Sequence, residues 1–151
     1  MTFTPAVITG PDVVRQARAY MNVPFRHQGE TRTGLDCSGL CMRVAKDLAQ
    51  MPADFRRPAY SVIRPNPRLF NLIGQFVDQV ERAEASPGDL FTMYHSGDRK
   101  KRVAHMGFLS DLGLIHIFPA MSIARVTEHS LDDDWASRIL GVWRFRGVLW
   151  V

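Results

Sequence analysis

Cys37 is the residue whose type and position best suit covalent chemistry. It follows a polar stretch with two glycines, residues 25–35, and it begins a segment whose apolar residues recur with helical spacing. At the first turn of a helix, free N–H groups stabilise a thiolate and can donate to the oxygen of a tetrahedral intermediate. We therefore predict a nucleophile with a lowered pKa, the alternative being an ordinary buried thiol. Cys41, one turn later among apolar residues, is predicted to lie in the core.

His105 and His116 supply the candidate base and the residue that orients it. They lie in two apolar runs joined by a short link with Asp and Gly, which predicts a hairpin. If Leu109 pairs with Leu112, His105 lies opposite His116 on one face, with Cβ atoms about 5 Å apart. A neutral His105 would then accept the thiol proton while His116 fixes its orientation. For each histidine, an ordinary half-buried strand residue is the alternative.

The sequence gives less support for a role of the other histidines and for a metal site. His27, His95 and His129 lie in apparent loops and are interpreted as surface residues, although His27 is near enough in sequence to Cys37 to line a substrate cleft. Zinc held by Cys37, His105 and His116 is the chemical competitor. That set lacks the closely spaced ligand pair of common zinc sites, so neither a metal nor another cofactor is predicted.

The elements that must position these residues change character along the chain. Helices are predicted over residues 12–21, from near Cys37 onward, and over 69–80, with an irregular surface connection over 52–68. Short strands follow, predicted over residues 90–94, 103–109, 114–118, 123–126 and 139–145, with a turn or short helix at 132–135. Helices first and strands later predict an α+β fold with a central antiparallel sheet. The length of 151 residues predicts a single domain over 1–151.

Composition and charge give only weak information about the classes of molecule that the protein binds. The 19 Lys and Arg residues exceed the 15 Asp and Glu residues, which favours anionic partners in general. The run Arg99-Lys100-Lys101-Arg102 is interpreted as a solvated loop, and no nucleic-acid partner is predicted. No apolar stretch approaches the roughly 20 residues of a membrane span. Residues 1–10 lack the features of a signal peptide, so we expect synthesis in the cytoplasm.

An ordered set of motifs resembles the NlpC family of papain-like cell-wall endopeptidases. The set comprises Asp36-Cys37-Ser38-Gly39-Leu40, Pro87-Gly88-Asp89-Leu90, Ala104-His105-Met106-Gly107-Phe108 and Leu114-Ile115-His116. The resemblance implies a papain-like α+β core with a nucleophile, a base and a third polar member at the positions already singled out. It also implies a substrate, the stem peptide of peptidoglycan, which the family usually cuts between D-glutamate and the following diamino acid.

The loop Pro24-Phe25-Arg26-His27-Gln28-Gly29 resembles the substrate-side loop of compact members encoded with phage tails or gene transfer agents. That likeness implies phage tail or particle proteins as partners and a location on a virion or particle. Five residues are assigned to the substrate side: Phe25, His27, Gln28, Asp36 and Ser38. Phe25 stands where the family usually has Tyr, and Ile117 follows His116 where a small residue is usual, so the cleft departs from the family pattern.

Two other functions remain open at the level of sequence. The chain could keep the fold but act only as a silent binding or structural component of a tail tip. It could also be an amidase, an acyltransferase or a deubiquitinase-like protease that acts on an amide outside the cell wall. In a silent component, Cys37 should alkylate no faster than an ordinary exposed thiol. The identity of the reaction products distinguishes the other enzymes.

Overall fold

The computed structural model describes residues 3–57, 70–71, 74–118 and 124–149. Its α-helices are α1 (Gly10–Arg18), α2 (Cys37–Asp47) and α3 (Asp133–Ser137), and 3-10 turns occur at Gly74–Phe76 and Arg82–Glu84. Its strands are β1 (Glu30–Thr31), β2 (Gly34–Leu35), β3 (Val77–Val80), β4 (Leu90–Met93), β5 (His105–Leu109), β6 (Leu114–His116), β7 (Thr127–His129) and β8 (Ile139–Phe145). Among the described helices, none is long and apolar enough to cross a membrane.

A six-stranded antiparallel sheet forms the centre of the fold. Its strand order is β3-β8-β4-β5-β6-β7, while β1 and β2 form a separate hairpin. Side chains alternate along each strand, so Met106, Phe108 and Ile115 join the core that contains α1 and α2, whereas Phe91 and Leu114 join a smaller apolar cluster. This arrangement confirms the α+β prediction with an antiparallel sheet.

The two long helices begin at side-chain caps that the sequence supplies. Thr9 and Asp12 form a reciprocal capping box at the start of α1, with the Thr9 N–H donating to Asp12 Oδ2 at 2.9 Å. Asp36 is the N-cap of α2 and accepts a 2.8 Å hydrogen bond from the Gly39 N–H. The prediction of a helix beginning near Cys37 is therefore confirmed, and Cys37 is its first residue.

The predicted register of the β5–β6 hairpin is wrong by two residues. Leu109 pairs with Leu114 rather than with Leu112, because Ser110 and Gly113 also bond to each other and only two residues form the turn. A shift by two preserves the face of every side chain, whereas a shift by one would reverse it. His105 and His116 therefore still share a face, although they are diagonal neighbours rather than direct partners.

Other boundaries differ from the sequence predictions. Of the helix predicted over 69–80, residues 70–71 are helical, but the prediction is wrong over 74–80, where a 3-10 turn leads into β3, whose end residues Val77 and Val80 are buried. The strand predicted over 123–126 lies later, at Thr127–His129, and the loop predicted over 25–35 contains the β1–β2 hairpin. Most of the connection predicted over 52–68 lies outside the described residues.

A buried ion pair joins the turn before β4 to the last strand. Gly88 has a φ of +99°, and a Cβ there would lie 2.5 Å from the carbonyl oxygen of Gly10, so this position requires glycine. The next residue, Asp89, accepts two hydrogen bonds from Arg144, at 2.6 and 2.8 Å, and both side chains are buried. The Pro87-Gly88-Asp89 motif thus locks β4 onto β8.

We predict that Asp89→Ala lowers the free energy of unfolding by about 3–5 kcal/mol, because it removes the carboxylate that balances the buried charge of Arg144. Urea unfolding followed by circular dichroism measures this change. The matched control is Asp78→Ala, which removes a largely exposed pair with Arg146 and should cost less than about 1 kcal/mol. Equal losses in the two variants would contradict the role given to Asp89.

Candidate active site

The candidate nucleophile lies where α2 meets β5. Cys37 is partly buried and packs against the main core. The backbone N–H groups of Met106 and Ser38 are close enough to hydrogen-bond with its sulfur. Met106 is the neighbour of His105 in β5, so the fold places the thiol one residue along the strand from the candidate base.

The electrostatic environment keeps this thiol protonated. Burial, and secondly the negative charge of Asp36, raise the pKa of Cys37 to about 12, against the opposing effects of the Met106 and Ser38 N–H groups and of Arg57. The sequence predicted a lowered pKa from the helix N-terminus alone. That prediction is contradicted, because burial of the thiol, and secondly the anionic residue that caps the helix, outweigh the effect of the N–H groups.

His105 and His116 form a buried imidazole pair. The distance from His105 Nε2 to His116 Nδ1 is 2.7 Å, and the two residues are 2% and 0% exposed. Their predicted contact is therefore confirmed, although it comes from the diagonal register. Burial, with the neighbouring His116 as the second cause, lowers the pKa of His105 well below its usual 6.5. Burial likewise lowers the pKa of His116 to about 3, so both rings are neutral near pH 7.

A third histidine extends this pair. His116 Nε2 lies 2.7 Å from His129 Nε2, and His129 Nδ1 lies 2.9 Å from the carbonyl oxygen of Ser130. His129 is half-buried in β7 rather than exposed in a loop, so its interpretation as a surface residue is wrong. The strand had been predicted a few residues too early, which removed His129 from the sheet. Three imidazoles in series therefore lead from β5 to the β7 edge of the sheet.

Aromatic rings cover the imidazole series. Trp135 of α3 packs edge-on against His116, with centroids 5.0 Å apart, and also lies 5.1 Å from His129. Phe118 packs against His105 at 5.2 Å and against His95 at 5.6 Å. His95 is half-buried here, so its interpretation as a surface residue is also wrong. These contacts explain why His105 and His116 are buried away from water.

The residues assigned to the substrate side occupy two environments. Phe25 packs partly buried against the core, while His27 and Gln28 are exposed on the loop that precedes β1. Asp36 and Ser38 are only 3% and 1% exposed. The structure therefore places His27 and Gln28 at the surface, Phe25 partly buried against the core, and Asp36 and Ser38 in the buried part of the site.

Asp36 and Ser38 instead hold Arg57, a residue that sequence reasoning missed. Arg57 Nη1 donates to Asp36 Oδ1 at 2.8 Å and also bonds to Ser38 Oγ, while its Nη2 donates to the carbonyl oxygen of Gly29 at 3.2 Å. The Arg57 side chain is 4% exposed. Since Arg57 lies in a stretch read as an irregular surface connection, no periodic signal indicated this role.

The remaining sequence predictions concern residues outside this cluster. Cys41 is 1% exposed and belongs to the core, as predicted. Arg99, Lys100, Lys101 and Arg102 are exposed, which confirms that this run is a solvated loop. Among the described residues, no group of three or more His, Cys, Asp and Glu side chains has an arrangement that would hold a metal ion.

Comparison with known families identifies the domain. Residues 22–144 match the model of the NlpC/P60 family, a range that includes the whole imidazole series and Cys37. The chain belongs to the NlpC/P60 family. This assignment agrees with the motifs from which the resemblance was first inferred. A search of curated proteins gave no match.

Solved structures of NlpC/P60 proteins share this fold. An NlpC/P60 family protein from Bacillus cereus superposes with a TM-score of 0.65 at 17% identity, covering 95% of this chain and 42% of that protein. A lipoprotein-like NLP/P60 protein from Staphylococcus aureus gives 0.59 at 20% identity, covering 96% and 45%. The NlpC/p60 domain of the peptidoglycan hydrolase SagA gives 0.59 at 19% identity, covering 89% and 97%. This chain thus spans less than half of the first two proteins and nearly all of the SagA domain.

The neutral histidines of this NlpC/P60 domain predict a specific acid sensitivity. As the pH falls below 6.5, His105 and His116 take up protons in the unfolded chain but stay neutral in the fold, because burial lowers their pKa values. The free energy of unfolding therefore falls by about 1.4 kcal/mol per pH unit for each histidine. Urea unfolding between pH 5.5 and 4.5 should show a slope of about 2.7 kcal/mol per pH unit from the pair.

The variant His116→Asn tests this origin of the slope. It removes one of the two groups, so the pH dependence of its unfolding free energy over the same interval should fall by about 1.4 kcal/mol per pH unit. A slope equal to that of the wild type would show that other groups cause the acid sensitivity.

Proposed function

We propose that this domain is a cysteine peptidase that hydrolyses an amide bond in the stem peptide of peptidoglycan. The observation that carries the proposal is the placement of Cys37 at the start of α2 against β5, where the adjacent His105 is hydrogen-bonded to His116. A thiol, an imidazole and a second polar group that orients it form the usual set for covalent amide hydrolysis.

The neutral site favours attack by the thiol with simultaneous proton transfer. As Cys37 Sγ bonds to the substrate carbonyl carbon, His105 accepts the thiol proton, so no free thiolate has to persist in the buried site. We propose that the N–H of Cys37, which is the first residue of α2, donates to the oxyanion. His105 then protonates the departing amine, the C–N bond breaks, and water, activated by His105, releases the acyl group and restores the thiol.

The proposed substrate is more specific than membership in the NlpC/P60 family. Support comes from membership in the NlpC/P60 family and from likeness to a domain of SagA, which is described as a peptidoglycan hydrolase. Within the stem peptide, we propose cleavage between D-glutamate and the diamino acid that follows it, the bond implied by the motif resemblance. The exposed His27 and Gln28 beside Phe25 are the residues that we propose to contact the peptide.

We also propose that the protein is synthesised in the cytoplasm and acts as part of a phage tail or gene transfer agent particle. Support comes from the likeness of the Pro24–Gly29 loop to the compact members of that type. Proteomic analysis of purified particles from the producing cell tests this association. Recovery of the chain only in particle-free fractions would contradict it.

We predict that wild-type protein cleaves purified stem peptides, that Cys37→Ala and His105→Ala reduce turnover at least 1000-fold, and that His116→Ala reduces it less. Product identification by mass spectrometry measures turnover and locates the broken bond. Cys41→Ala is the matched control, because Cys41 is a thiol one helical turn away in the core. It should keep most of the activity.

Each other outcome has a defined meaning. Turnover that survives Cys37→Ala would exclude the cysteine mechanism. A wild-type protein that cleaves other amides but not stem peptides would contradict the substrate, and one that cleaves none would favour a silent structural component. Alkylation of Cys37 does not separate these cases, because the raised pKa makes the thiol react slowly in the free protein in either case.

A further inference from the structure

We infer that His129 is a positioning residue that fixes the tautomers of His116 and His105 through a directed series of hydrogen bonds. This inference rests on the proposed function, since the consequence of the series is the protonation state of the base. Its geometric basis is independent of the substrate and consists of the contacts among three rings and one backbone carbonyl.

The carbonyl oxygen of Ser130 sets the direction of the series. A carbonyl can only accept, so His129 Nδ1, at 2.9 Å, must be the protonated nitrogen of its ring. In a neutral imidazole the other nitrogen is then an acceptor. His129 Nε2 therefore accepts a hydrogen bond from His116 Nε2–H across 2.7 Å.

The position of the proton on His105 follows from its position on His116. Because the His116 proton is on Nε2, its Nδ1 is an acceptor, and His105 must donate from Nε2–H across 2.7 Å. The remaining nitrogen of His105, Nδ1, then carries the lone pair. One backbone carbonyl at the β7 end thus leaves the base unprotonated at the nitrogen that is free to take the thiol proton.

The surroundings keep all three rings in this single arrangement. Trp135 packs against both His116 and His129 and restricts their rotation. The buried Arg138, whose guanidinium lies 4.2 Å from the centre of the Trp135 ring, adds a positive charge that disfavours protonation of His105 and His116. A neutral His105 and a neutral His116, each with one proton on its ring, are therefore the stable state of this pair.

Without His129, nothing connects His116 to the carbonyl oxygen of Ser130, which sets the direction of the hydrogen bonds. His116 Nε2 would no longer have an acceptor in β7, so His116 could place its proton on either nitrogen. The alternative tautomer would donate from Nδ1 to His105 Nε2 and move the His105 proton to Nδ1. That form of His105 has no lone pair for the thiol proton, so kcat should fall while substrate binding is unaffected.

The test compares His129→Leu, which removes the acceptor, with His129→Gln, whose side-chain oxygen can accept from His116 Nε2–H. We expect His129→Leu to lower kcat on stem peptides about tenfold at unchanged KM, a loss consistent with one neutral hydrogen bond, and His129→Gln to recover most of it. Equal activity of His129→Leu and wild type, or equal loss in both variants, would overturn the inference.

A spectroscopic readout tests the same inference without any substrate. Long-range ¹H–¹⁵N correlation spectra of ¹⁵N-histidine-labelled protein at pH 7 should show Nε2–H tautomers for His105 and His116 and an Nδ1–H tautomer for His129. In His129→Leu, the signals of His105 and His116 should indicate mixed tautomers. Wild-type rings with other tautomers, or unchanged rings in the variant, would contradict the series even if the protein cleaves no stem peptide.

Discussion

The carboxylate of Asp36 is the interaction on which the local architecture of the site depends. One oxygen accepts from the Gly39 N–H and from Arg57, and the other accepts from the Gln28 N–H at 2.8 Å. A single anion thereby defines where α2 begins, closes the preceding loop against the helix and balances a buried guanidinium. The loop packs closely against α2 at Gly39, since a Cβ on Gly39 would lie 1.9 Å from the Gly29 carbonyl oxygen.

The same carboxylate sets the electrostatic character of the site. Burial, and secondly the anion of Asp36, opposes the charge that a thiolate would bring to Cys37, and burial opposes a positive charge on His105 and His116. The resting site therefore holds Cys37 as a thiol and His105 and His116 as neutral rings. A site of this kind gains reactivity from positioned proton acceptors and backbone donors instead of from a stored thiolate.

The sequence predicted those features that depend on short-range pattern. The start of α2 at Cys37, the position of Cys41 in the core, β8 and the shared face of His105 and His116 all follow from local periodicity. The missed features depend on contacts between distant segments. Arg57 acquires its role only when its connection folds over α2, and His129 enters the series only once β7 pairs with β6.

Two errors show how periodicity limits such reasoning. Residues 77–80 resembled a helix because both buried residues, Val77 and Val80, are spaced by three, which suits a helix turn as well as the ends of a short strand. The predicted hairpin register was wrong because the turn consists of Asp111 and Leu112 rather than of Ser110 and Asp111. The error left the histidine pair intact only because the shift was even.

The position of β8 in the sheet has a consequence for when the sheet can be completed. β8 is the last described strand in sequence, yet it lies between β3 and β4. β3 thus has no neighbour in the sheet until this late segment arrives, and Cys37 and His105 are themselves about seventy positions apart. Such non-local pairings close late and slowly during folding. The central sheet can therefore be completed only after the segment that contains β8 has been synthesised, whichever strands pair first.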